Sequence, residues 1–81
     1  MNGKRLDELT AEERTKVFVP GTVLSYQDMS NFPRDQVITE IEESKFGRTA
    51  VLRVGGEDGY DNYLGIDAGF QHGWEVVKVA S

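Results

Sequence analysis

From residue 37 to 43 the chain alternates: Val37, Thr39 and Ile41 fall on one side, Ile38, Glu40 and Glu42 on the other. A period of two over that length is the pattern of a β-strand with one face toward a core. Runs rich in Val, Leu, Ile and Tyr at 22–26, 49–54, 60–66 and 74–79 predict four more strands, with turn-forming residues between them. The stretch 27–34, with Asp28, Ser30, Asn31 and Pro33, predicts a polar loop.

Two reversals set a register. With 44–47 as the first hairpin tip, Glu43 faces Arg48 and the ladder continues as Ile41–Ala50, Thr39–Leu52 and Val37–Val54. With 55–59 as the second tip, Val54 faces Tyr60, Leu52 faces Asn62 and Ala50 faces Leu64. Both hairpins then turn their oily side chains, with Tyr60 among them, to the same face, as a one-sided core requires. On the opposite face Arg53 meets Asp61, and Ile38, Val51 and Tyr63 form an outward stripe.

Ahead of the strands, Thr10-Ala11-Glu12-Glu13 reads as a capping box, in which the Thr10 hydroxyl and the Glu13 carboxylate each take the other's backbone N–H. It predicts a short helix over 10–17 that ends before Pro20-Gly21, with Leu6, Leu9 and Val17 or Phe18 as its buried stripe. Whether that helix covers the Ile38–Val51–Tyr63 stripe or the other face is left open by the pattern. Residues 1–9 are expected to be loosely held.

The expectation is one domain, mainly β with one short N-terminal helix (α+β). Residues 20–81 would form a five-stranded antiparallel bent sheet or a small barrel, with 22–26 on one side of the central meander and 74–79 on the other. The strand lengths and the Gly-rich turn at 55–59 resemble small barrels of the SH3-like architecture, a layout that serves many unrelated functions.

Composition narrows this further. At 81 residues only a single thin core can be built, and 38% hydrophobic with 28% charged residues is the balance of a folding chain. No run reaches the roughly 18 apolar residues of a membrane span. The opening Met1-Asn2-Gly3-Lys4-Arg5 lacks the apolar centre of a secretory signal, and there is no cysteine, so a cytoplasmic location is expected. Nine basic residues stand against 14 acidic ones, a net charge of −5, and the basic ones are scattered. Direct nucleic-acid binding is therefore disfavoured, and a protein partner with a basic surface is favoured.

Candidate chemistry is thin. The one histidine, His72, sits in the turn-like 69–73 with no serine elbow to serve. A single histidine without cysteine gives no zinc set. Glu57, Asp58, Asp61 and Asp67 lack the spacing and closing glutamate of a calcium loop. The glycines of 55–59 accompany two acids, no lysine and a following strand, so they do not form a phosphate cradle. Neither a catalytic residue nor a metal nor a cofactor is expected, and the chain reads as a non-enzyme.

What remains is a surface. Ile38, Val51 and Tyr63, ringed by Glu40, Glu42, Glu57, Asp58 and Asp61, would make an apolar centre with an acidic rim, the anatomy of a protein-binding patch. In size and charge the chain resembles accessory proteins of phages and mobile elements, including inhibitors that occupy nucleic-acid-binding surfaces of host enzymes. That resemblance implies carboxylates standing in for phosphates. One alternative is a small-molecule-binding β domain with Trp74, Tyr26 and His72 lining its pocket. The other is a structural subunit of a larger assembly.

Overall fold

A computed structural model of the chain describes residues 1–26, 35–67 and 71–80. Its elements are α1 (Ala11–Val17), β1 (Val23–Tyr26), β2 (Asp35–Ser44), β3 (Gly47–Val54), β4 (Tyr60–Gly65) and β5 (Trp74–Lys78), with short 3-10 turns at Leu6–Glu8 and Gly56–Asp58. The polar loop expected at 27–34, and Phe32 and Phe70, lie outside the described residues. Among the described residues, no helix is long and apolar enough to cross a membrane.

The five strands make one antiparallel sheet in the order β4-β3-β2-β1-β5. This corrects the expected placement of the last strand, which pairs with β1 and does not extend the meander beyond β4. A flat sheet of this kind would hold its edge strands about 19 Å apart, four spacings of about 4.8 Å. Yet Leu64 and Ile66, at one edge, share a core cluster with Trp74 and Val76 at the other. The sheet is therefore bent round its own core, and among the described residues β4 and β5 are not paired.

The second hairpin has the predicted register throughout, from Val54–Tyr60 to Ala50–Leu64. A side chain at Gly59 would collide with the Val54 carbonyl, so this turn depends on a glycine there. The first hairpin follows prediction at Glu43–Arg48 and Ile41–Ala50, then departs from it at a bulge around Thr39. Beyond the bulge the pairs are Ile38–Leu52, Val37–Arg53 and Gln36–Val54. The physical reason is volume: strict alternation cannot turn both Ile38 and Ile41 inward, three positions apart, but one extra residue can. Ile38 is accordingly 1% exposed in the core, while Val37 faces out. The Thr39 hydroxyl donates to the Val51 carbonyl at 3.3 Å, which holds the bulge in place.

The predicted helix is present with both halves of its capping box. Thr10 Oγ1 accepts from the Glu13 N–H at 3.1 Å, and Glu13 Oε1 from the Thr10 N–H at 2.9 Å. Val17 and Phe18 enter the same cluster as Leu6, Leu24 and Leu52. The helix thus packs on the inner side of the sheet. Residues 1–9 correct the expectation of a loose terminus. Gly3 N–H donates to the Val76 carbonyl at 2.7 Å, Val76 N–H to the Lys4 carbonyl at 2.9 Å, and Leu6 is fully buried.

Candidate functional site

The outer face can be built row by row from the register. Glu40, Val51 and Tyr63 lie side by side across β2, β3 and β4, and Val37, Arg53 and Asp61 form the neighbouring row. Glu42 stands opposite Thr49, exposed. Tyr63 is 61% exposed, but Val51 is buried, and Ile38 has left this face altogether. The expected apolar stripe is thereby corrected: the bulge at Thr39 removes its first member, and Tyr63 alone is open to water. Glu57 and Asp58 are exposed in the second turn, beyond Arg53. Arg53 donates to the Gly56 carbonyl at 2.8 Å, the Glu57 carbonyl at 2.9 Å and Asp61 Oδ1 at 3.2 Å. Asp61 and its turn are thus engaged structurally. Among the described residues, no three His, Cys, Asp or Glu side chains group as a metal site.

A feature that the sequence pattern missed stands at the tip of the first hairpin, where Phe46 is 87% exposed. Ser44 Oγ accepts from the Phe46 N–H at 3.2 Å and donates to the Gly47 carbonyl at 3.2 Å, so the tip is internally tied. Just behind the tip, Asp67 accepts from the Arg48 side chain at 3.0 and 3.2 Å and from its backbone N–H at 2.9 Å. The Arg48 guanidinium, and then its N–H, hold the Asp67 carboxyl below the usual carboxylate range. An apolar residue inside a two-residue turn was the available signal.

The inner face opens between β4 and β5, which are not paired among the described residues. Between β4, the end of β1 and the starts of β2 and β5 lies a cleft of about 430 Å³, lined by Tyr26, Gln36, Asn62, Tyr63, Leu64, Gly65, His72 and Trp74. Tyr26 and Trp74 form one wall, their ring centroids 5.3 Å apart and their planes at 48°. Opposite them, Asn62 Nδ2 donates to Gln36 Oε1 at 3.1 Å, and Asn62 Oδ1 accepts from the Tyr63 N–H at 2.9 Å. His72 is exposed at the rim, with Nδ1 3.7 Å from Asp7 Oδ2. Tyr60, expected inward, has the inward parity but sits at the first position of an edge strand, past the end of the core, and is 62% exposed.

The end of β4 is locked beside this cleft. The buried Gln71 donates Nε2 to the Gly65 and Ile66 carbonyls at 3.0 and 2.8 Å. Arg14 donates to the Gln71 side chain and, at 2.6 Å, to the Ile66 carbonyl, its guanidinium 5.1 Å from the centre of the Phe18 ring. The cleft wall is therefore set by side chains rather than by strand pairing. Comparison with protein-family models, curated proteins and solved structures yields no match.

Proposed function

We propose that this domain works by binding, and that the cleft between β4 and β5 is its binding site for a small molecule. The observation that carries this reading is convergence. Side chains from β1, β2, β4, β5 and the turn before β5 meet around one space of about 430 Å³. It has two aromatic rings on one side and two side-chain amides on the other. Ligand sites have this make-up: apolar walls for affinity, a few placed polar groups for orientation, and volumes of roughly 300–1,000 Å³. The test is a fragment screen followed by amide and indole chemical shifts. Shifts concentrated at Gln36, Asn62 and Trp74 support the cleft, and a screen in which no compound moves these signals removes it.

A second reading, a protein-binding surface, rests on the first hairpin. The exposed Phe46 stands at the end of a strand carrying Glu40, Glu42 and Glu43, all exposed. An aromatic anchor inside an acidic rim suits a partner with an apolar pocket and basic surroundings, a host nucleic-acid-handling protein included. Here Glu40→Lys with Glu42→Lys abolishes partner binding and leaves the melting temperature unchanged; undiminished binding rejects this surface.

A further inference from the structure

We infer that the ligand of the cleft is an uncharged nucleobase, carried as a free base or nucleoside; this rests on the cleft being the binding site. Gln36 supplies the decisive observation. Its residue is only 7% exposed, and Oε1 is occupied by Asn62. Its Nε2 forms no hydrogen bond with any described residue, yet no buried side-chain nitrogen lacks a partner among them. The Nε2 donors therefore keep some access to solvent, and Gln36 is one of the residues that line the cleft. Asn62 Nδ2 spends one of its two protons on Gln36 and keeps the second.

Donors held in this way call for acceptors in the plane of a ligand. A ring carbonyl beside a ring nitrogen, as on the edge of cytosine or guanine, is the matching pattern. The aromatic wall asks for the same kind of molecule from the other side. Flat heterocycles stack on Tyr and Trp rings for about 1–3 kcal/mol per base. Charge then separates the possible carriers of a base. Among the described residues no Lys or Arg lines the cleft, and the chain carries −5. A phosphate meets no Lys or Arg among the described lining residues, so nucleosides are preferred to nucleotides and to strands of nucleic acid.

Trp74 is the only tryptophan, so its fluorescence reports this wall alone. The experiment titrates the full chain with the four ribonucleosides, their 5′-monophosphates and a short mixed single-stranded oligonucleotide. At least one nucleoside is expected to quench Trp74 saturably, with its monophosphate about tenfold weaker or worse, a difference of about 1.4 kcal/mol. Gln36→Leu keeps the side-chain bulk, removes the donors and weakens the quench about tenfold. Asn62→Ala, on the edge strand, gives a second variant with the same expectation should the first fail to fold. The inference is overturned if no nucleoside quenches up to about 10 mM, a free energy of only about 3 kcal/mol, or if the variants bind as the parent does. Tighter binding of the oligonucleotide than of any nucleoside overturns it as well. The fragment screen separates the two failures. Non-base compounds that shift Gln36 and Trp74 leave the cleft standing as a site, whereas silence from every compound removes both.

Discussion

Gln71 shows how one side chain can replace a missing strand. It is buried, it serves two carbonyls at the end of β4, and it is held in turn by Arg14. Gln71→Leu keeps the bulk but leaves the Gly65 carbonyl without its donor and takes from the Arg14 guanidinium one acceptor, leaving it the Ile66 carbonyl. Orphaning buried polar groups costs about 1–3 kcal/mol, and urea denaturation should read a loss of that size. At about 4–8 °C per kcal/mol for a chain of this length, a thermal melt reads it too. Glu13 makes a different kind of prediction. The Thr10 backbone N–H, and after it the Lys4 ammonium 3.0 Å away, lower its pKa from the ordinary 4.5 to about 2. A folded-state pKa below the unfolded one means that the ionised form favours folding. That contribution is complete above about pH 4.5 and is lost as the pH falls toward about 2. An NMR titration should place the Glu13 midpoint near 2, and Lys4→Met should raise it part of the way. A midpoint that Lys4→Met leaves in place would dissolve the pair.

The bulge in β2 decides which side chains belong to the core, and a pair of substitutions reads it directly. Ile38→Ala should cost about 2–5 kcal/mol as a core truncation, while Val37→Ala stays within about 0.5 kcal/mol on the outer face. The unbulged register would reverse the order of the two. This is also where legibility in the sequence ended. Gly55, Gly59 and the acids between them announced the second turn, and every pair of that hairpin follows from it. The capping box likewise announced α1. A bulge leaves no such mark, because the alternation around Thr39 is equally regular in either register, and only the need to seat Ile38 and Ile41 together selects one. The protein-binding stripe inherited that ambiguity and lost Ile38. In the cleft, Trp74, Tyr26 and His72 come together as the alternative function required. Gln36 was hidden by the same bulge, although Asn62, a polar residue at an inward position opposite Leu52, was a visible sign of a polar pocket.

A sheet wrapped round one core, with β4 and β5 unpaired among the described residues, has two edges to protect, and this molecule treats them differently. At β4 the covering is made of side chains, Gln71 on the Gly65 carbonyl and Asn62 on the Tyr63 N–H. At β5 it is made of backbone, with Gly3 and Lys4 bonded to Val76 and Arg5 bridged to Glu75. Removing residues 1–5 while keeping Leu6 leaves the β5 edge open, and an open edge is a template for another strand. The most abundant strand available in a pure solution is a second copy. Net charge opposes that meeting, since copies that have lost Lys4 and Arg5 keep 7 basic against 14 acidic residues, −7 each, and repel one another, and salt weakens the repulsion as the screening length falls to about 8 Å near 0.15 M and about 3 Å at 1 M. The shortened chain should therefore self-associate with rising concentration, and more strongly as salt is added, while the intact chain gains no mass from salt. Light scattering across a salt series measures both. A shortened chain that stays monomeric at high salt would show that β5 needs no cover, and that the N-terminal segment serves only to seat Leu6 in the core.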